Sequence, residues 1–279
     1  MKSVFLFDNQ IFDATLSASS SVLPVDNVKN LQRTKFWRSA NGGTSHIDVT
    51  IASAIGIDYI ALVDLNLSSG AEIRVKTYSD PGRTTLVSEY SFSPTLYINP
   101  DVVAAPYGSG AYGLGAFGAN TLQNQNGNRN ITIFKFPERI MQIYFRIQFI
   151  DMTGDYQQLG LMFLGQAFEF ENNLSYGWQA SREDRSVSRE SLGGQRFVQP
   201  RDSRLRISAT FRNFKDATRT RFLIRQQEFV QYKPFIFSIY PDADNKGLTT
   251  TIYCRFENSN IEERFFEQND LSFSVIEEL

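Results

Sequence analysis

Apolar and polar residues alternate with a period of two along His46-Ile47-Asp48-Val49-Thr50-Ile51 and again along Ile73-Arg74-Val75-Lys76-Thr77-Tyr78, which predicts two half-buried β-strands. Between them Tyr59-Ile60-Ala61-Leu62-Val63 is an unbroken apolar run of strand length, and Ser68-Ser69-Gly70 supplies the turn that follows. Further strands are predicted at 131–136, 144–150 and 161–170, so residues 1–172 read as a β-sandwich. Residues 80–130 of this half read as a long loop. They carry Asp80-Pro81-Gly82, Asn99-Pro100, a glycine-rich run from 108 to 118 and Gln123-Asn124-Gln125-Asn126-Gly127-Asn128.

The composition changes near Asn172-Asn173, which divides the chain into 1–172 and a smaller β-rich unit, 173–279. The second unit opens with an arginine-rich stretch broken by Gly193-Gly194 and Pro200, which predicts long polar strands joined by turns. Leu205, Ile207, Ala209 and Phe211 alternate as one more strand. Asn213 is the expected cap of a helix from about 214 to 232, with Ala217, Phe222, Leu223, Phe229 and Val230 on one face and Pro234 ending it. Strands at 235–240 and 249–256, linked by a turn at 241–247, and a last strand at 271–276 complete the reading. The fold class is mainly β with one helix.

Composition agrees with that pattern. The chain holds 24 Phe and 12 Tyr in 279 residues, residue types that favour pleated, half-buried strands. The net charge of −2 provides no global attraction to nucleic acid or an anionic membrane. The single cysteine, Cys254, fits a reducing compartment, and the opening apolar run stops at Asp8, too short for a signal-peptide core. No uncharged run is long enough to span a bilayer. The expectation is synthesis in the cytoplasm as a soluble chain.

Catalytic chemistry finds little raw material. One histidine, His46, leaves no imidazole-based metal site or triad, and its place at the start of a strand predicts a solvent-facing side chain. Cys254 alternates onto the side of Ile252 and Phe256, which predicts a buried, inert thiol. Gly113-Leu114-Gly115-Ala116-Phe117-Gly118 has the letters of a dinucleotide fingerprint without the strand before it and helix after it that the motif requires. Asp242-Ala243-Asp244-Asn245-Lys246-Gly247 begins like a calcium loop but carries Lys246 at the fifth position and Tyr253 at the twelfth. No carboxylate pair is singled out for glycoside hydrolysis. The chain reads as no enzyme, with no cofactor and no metal.

Charge is distributed unevenly. From 173 to 226 there are 12 Arg and Lys against 5 Asp and Glu, a balance of +7, whereas 227–279 has 4 against 10, or −6. If these stretches occupy opposite faces, copies attract head to tail, the heterologous contact that closes into rings. The candidate interface residues are Arg182, Arg185, Arg189, Arg196 and Arg204 on one side and Glu262, Glu263 and Glu267 on the other. Two ordinary solvated faces, with Glu183, Asp184, Glu190 and Asp202 as local countercharges, are the alternative. Those carboxylates also weaken a nucleic-acid reading that would add Arg201 and Arg206. Loop aromatics Tyr107 and Tyr112, together with Trp37, are candidate platforms for a sugar, although Phe36 and the strand context make a core position the preferred reading of Trp37.

The stretches Leu23-Pro24-Val25-Asp26-Asn27, Phe36-Trp37-Arg38-Ser39 and Ile57 through Ser69 resemble the discoidin-like jelly-roll module carried by phage tail proteins. Ser175-Tyr176-Gly177-Trp178, Gly193-Gly194-Gln195-Arg196-Phe197, the strand to Phe211, the following helix and Pro234 through Pro241 resemble the ring-forming domain of distal-tail and minor tail proteins of long-tailed, siphovirus-type bacteriophages. The order is reversed here, since typical distal-tail proteins place the ring domain first. The resemblance implies a virion structural protein of the tail tip or baseplate, assembled in the host cytoplasm into a homo-oligomeric ring, six-fold by family analogy, between tail tube and hub. Its partners would be tube, hub and tape-measure proteins and host surface polysaccharide. A carbohydrate-binding module for host glycans is the alternative function. Neither a membrane span nor sequence-specific nucleic acid is implied.

Overall fold

The computed structural model of the chain describes residues 2–68, 70–94, 131–190, 195–199, 201, 203–229, 233–241, 250–265 and 267–278. The chain runs through β1 (Val4–Asn9), β2 (Thr15–Ala18), a 3₁₀ turn (Val25–Lys29), β3 (Trp37–Arg38), β4 (Gly43–Thr50), β5 (Ile57–Val63), β6 (Glu72–Tyr78) and β7 (Leu86–Phe92). It continues with β8 (Ile131–Ile140), β9 (Tyr144–Asp151), β10 (Gln158–Leu159), β11 (Leu161–Glu169), β12 (Gln179–Glu183), β13 (Val187–Glu190) and β14 (Arg196–Gln199). β15 (Arg204–Lys215), α1 (Asp216–Phe229), β16 (Phe235–Ser238), β17 (Thr251–Phe265) and β18 (Gln268–Glu277) follow. The molecule is mainly β, as the alternation predicts.

A five-stranded sheet, β2-β4-β9-β6-β7, forms one layer of the first half. Ile47 and Val49 of β4, Ile73 and Val75 of β6, and Phe145, Ile147 and Phe149 of β9 point inward, while His46 and Asp48 remain on the outer face. The opposing layer includes β11, β5 and β8, from which Ile60, Leu62, Met162, Leu164 and Phe136 complete the core. The sandwich inferred from sequence is therefore present. β7 lies within the stretch expected to be a loop, because Ser88 to Phe92 alternate half-buried and exposed along an edge strand. The glycine-rich run, Tyr107, Tyr112 and Phe117 lie outside the described residues, as do 242–249 of the expected calcium-like turn.

The opposing layer does not stop at the end of the first half. Its strands belong to a nine-stranded sheet, β12-β15-β18-β17-β16-β1-β11-β5-β8, that runs through both halves. β1 joins them, pairing antiparallel with β11 on one side and β16 on the other. Both faces of β1 are covered, which explains why Val4-Phe5-Leu6-Phe7 reads as an unbroken apolar run rather than an alternation. The approach is close: a Cβ on Gly165 of β11 would lie 1.9 Å from the Asp8 carbonyl oxygen. β8 and β17, with four strands between them in pairing order, come within 8 Å at Cα. The sheet thus curls around a second core made of Val4, Leu6, Ala61, Phe163, Ile236 and Tyr253.

Arg33 closes the end of this curl. Its Nε donates to Asp64 Oδ2 at 2.8 Å, its Nη2 to Asp64 Oδ1, and its Nη1 to the Glu278 carbonyl at 3.0 Å. Both side chains are almost fully buried, so the bidentate geometry and the carbonyl contact offset the cost of desolvating the charges.

The second half is organised by phenylalanine. Phe5 has eight other Phe rings within 6.2 Å, centroid to centroid: Phe7, Phe170, Phe211, Phe222, Phe235, Phe237, Phe256 and Phe273. Phe5, Phe7, Phe168 and Phe170 precede residue 173, yet they fill the core of 173–279. Cys254 is fully buried in the same cluster.

The helix starts two residues later than its expected position, and Asn213 does not cap it. Asn213 instead occupies a left-handed conformation (φ 55°) at a bulge in β15, with its N–H donated to Asp270 Oδ1 at 3.0 Å. Glu171 anchors the strand-to-helix junction, accepting the Lys215 N–H at 2.9 Å and the Thr218 hydroxyl at 3.2 Å. The buried face of α1 is Thr218, Phe222 and Phe229. Ala217 and Leu223, expected on it, are exposed, because the helix meets the sheet along a narrower line than its apolar content suggests, and Val230 lies outside the described residues.

Candidate binding surfaces

Two surfaces stand out, both in the arginine-rich stretch. The first is a hairpin. β13 and β14 pair with each other from Val187↔Gln199 to Glu190↔Arg196 and form a separate two-stranded sheet. Phe197 is 60% exposed and Val198 52%. Two strands alone are marginal in water, and adjacent apolar side chains on the surface of such an arm point to a partner. β12, at the edge of the nine-stranded sheet, has five exposed residues in a row. An open edge of this kind is a template for further pairing.

The second surface is a cleft beside β12. Leu174 bridges to Phe211, Ser175 donates its N–H to the Thr210 carbonyl at 2.9 Å, and Gln179 pairs with Ser208. Three residues, Tyr176-Gly177-Trp178, are therefore set against Ala209 alone. The excess chain bulges outward, and Gly177 allows this with φ 95°. The result is a cleft of about 270 Å³ lined by Ser175, Tyr176, Trp178, Gln179, Ser208, Thr210, Arg212 and Ser272, while the side chains of the intervening Ala209 and Phe273 are buried in the core. Tyr176 is fully exposed, and Trp178 is half-buried against the phenylalanine core. The hydroxyls of Thr210 and Ser272 lie 3.2 Å apart, and the Ser208 hydroxyl donates to that of Ser274 at 3.2 Å.

The charge-selected residues divide between the arm region and the body. Arg182 lies on β12, Arg185 in the link to the arm, and Arg189 on β13, whereas Arg196 is on β14 and Arg204 begins β15 half-buried. Glu262 and Glu263 are exposed on β17, and Glu267 occupies the turn into β18. The simple separation of charge onto opposite faces does not hold throughout. β15 lies beside β18, with β17 next, and this brings Arg206 Nη2 to 2.6 Å from Glu257. α1 brings Arg219 to 3.6 Å from Glu263. Part of the positive stretch is thus neutralised within the chain.

Trp37 is fully buried, 5.8 Å from the Phe149 ring, with Nε1 donating to the Ser21 hydroxyl at 2.9 Å. It has no open face for a sugar, which corrects its candidacy as a platform. The signal for Tyr176 and Trp178 was present in the sequence as aromatics flanking a glycine, but the turn alone does not reveal the cleft. His46 is half-buried on the outer sheet face, and burial, then the Arg146 charge, lowers its pKa below the ordinary value. Burial pushes the Cys254 thiol well above its ordinary range, so it stays protonated. Among the described residues no cluster of three His, Cys, Asp or Glu side chains is arranged to hold a metal. Among them, too, no helix is long and apolar enough to cross a membrane.

No family model matches the chain, and no curated protein matches it. Solved structures similar to it include chitosan-binding module 1 of a chitosanase/glucanase from Paenibacillus sp. IK-5, 15% identical, covering 57% of this chain and 99% of that one at a TM-score of 0.38. Another is the family 32 carbohydrate-binding module of C. perfringens NanJ in complex with galactose, 13% identical over 58% of this chain and 98% of that one, TM-score 0.37. A third is a Streptococcus pneumoniae fucose-binding module, 11% identical, with coverages of 57% and 94% and a TM-score of 0.37. Likeness at this level carries no weight for what this chain binds.

Proposed function

We propose that the chain is a non-catalytic structural subunit that assembles with copies of itself through the β13–β14 arm. The observation behind this reading is the arm itself, a hairpin that forms its own two-stranded sheet and holds Phe197 and Val198 in solvent. A second copy suits it as partner because the arginines at and beside the arm match the exposed Glu262, Glu263 and Glu267 of the β17–β18 end. An arm on one region that meets acid on another makes a heterologous contact, which closes into a ring when the rotation permits. With the sequence resemblance described above, we place the ring in a bacteriophage tail tip, between tube and hub, as a virion component.

The test is light scattering of the purified chain across ionic strength. An oligomer that dissociates as salt rises, and that Phe197→Ser with Val198→Thr reduces to monomer without lowering Tm, supports the reading. A monomer at every salt concentration that also fails to bind tail-tube or hub proteins overturns it.

A second reading is carbohydrate binding. It does not rest on Trp37, which is buried, or on Tyr107 and Tyr112, which lie outside the described residues. The cleft at Tyr176 and Trp178 favours it, since aromatic rings beside hydroxyl groups are the lining that sugar recognition uses.

A further inference from the structure

We propose that the Tyr176–Trp178 cleft binds an acidic saccharide, with a pyranose face against the aromatic pair and the sugar's carboxylate on Arg212. The proposal rests on the carbohydrate-binding reading and gives it a site and a ligand class. Four features of the cleft lead to it.

The first is shape. At about 270 Å³ the cleft is just below the roughly 300–1,000 Å³ that encloses small molecules, so it holds one ring of a longer chain against its wall. The second is the aromatic pair. Tyr176 is fully exposed and has no packing role, whereas Trp178 is fixed against the core. Together they provide one rigid and one adjustable apolar platform. C–H faces of a sugar ring lie on such platforms while its hydroxyls stay wet.

The third feature is the hydroxyl ladder. Thr210 and Ser272 bond each other, so each retains acceptor capacity for an incoming sugar hydroxyl, and Gln179, paired with Ser208 on the next strand, adds an exposed amide. The fourth is Arg212, exposed at the rim. A guanidinium takes a carboxylate with two parallel N–H donors, which a neutral sugar cannot match. The same lining argues against an apolar occupant such as Phe197 of a second copy. That side chain would cover Arg212 and the hydroxyls without giving them partners.

The two tryptophans of the chain make the experiment direct. Trp37 is fully buried, so ligand-dependent fluorescence reports on Trp178. The intact protein is titrated with oligogalacturonate and, separately, with neutral cello-oligosaccharides of the same length. A saturable fluorescence change with the acidic oligomer, at clearly higher affinity than the neutral one, is expected. Tyr176→Ala should weaken it by about 3- to 10-fold, the size of an aromatic contact. Arg212→Gln should bring the acidic oligomer down to the neutral one. Both side chains are exposed, so an unchanged Tm confirms that either variant is folded.

Saccharide binding that survives both substitutions overturns this site while leaving the carbohydrate reading intact. Silence toward every saccharide up to millimolar concentration overturns both. A fluorescence change that follows protein concentration instead of ligand places a second copy in the cleft and also overturns the proposal.

Discussion

The seam around β1 and the arm of β13 and β14 are both antiparallel β-structure, yet they are built for opposite ends. At the seam every side chain from Val4 to Phe7 is buried, strands lie on both sides, and Arg33 ties the margins together. On the arm one strand has one neighbour, and Phe197 and Val198 face water. The contrast teaches where free energy of folding is concentrated and where the surface is left incomplete. Substitutions at the seam should change stability and leave association alone, and substitutions on the arm should do the reverse.

The sharpest break comes at Phe5. Phe5→Ala empties the centre of the phenylalanine cluster and should cost about 3–5 kcal/mol, read as a shift in the chemical-denaturation midpoint. Arg33→Met leaves Asp64 buried without its guanidinium and should cost about 3 kcal/mol, with Arg33→Met/Asp64→Leu recovering much of it. Recovery in the double variant separates a charge effect from a packing effect.

Asp151 tests the first-half sandwich by pH. It is buried, and although burial tends to raise its pKa, hydrogen bonds from the backbone and hydroxyl groups of Ser68 and Thr153 outweigh this and leave it lowered. A lowered folded pKa stabilises above the ordinary carboxylate value, and that contribution is lost as pH falls through the folded value. Asp151→Asn should therefore cost about 1–3 kcal/mol at neutral pH and flatten the acid limb of the stability curve. The smallest effect belongs to His46. Its pKa is lowered as well, so its contribution is present above the ordinary histidine value and fades below it. His46→Gln should remove a slight loss of stability between neutral and mildly acidic pH, followed by thermal melts.

Much of the architecture was legible because one-sided burial writes itself as alternation. β4, β6 and β9 each have one face on the core and one in water, and their boundaries follow from Ile47, Val75 and Phe145 and their neighbours. β5 was legible as an apolar run because both its faces are covered. β1 has the same signature, but a run of four apolar residues has no period from which to infer partners, and its neighbours β11 and β16 are distant in sequence. α1 was placed to within a few residues. Its buried line was not, since Leu223 and Ile224 are exposed despite their chemistry.

For the candidate surfaces, the turn expected at Gly193-Gly194 lies outside the described residues, and the separation of the hairpin from the main sheet is a tertiary fact that strand propensity does not encode. The charge count was correct as arithmetic. What it lacked was the pairing order β15-β18-β17, which puts Arg206 beside Glu257 and cancels part of the imbalance. The cleft was missed for a similar reason, because it arises from three residues opposing one across a ladder whose register only the folded chain sets.

The position of β1 between β11 and β16 has a temporal consequence. A nascent chain exposes Val4 to Phe7 long before residues 235–238 are translated. At about 5–20 residues per second the interval is roughly 10–50 s. For that time one flank of a greasy strand is unsatisfied, which makes the ribosome-bound intermediate a natural client for a holding chaperone. Co-expression of 173–279 with a separate 1–172 fragment would ask whether the later segment can still capture its strand after release.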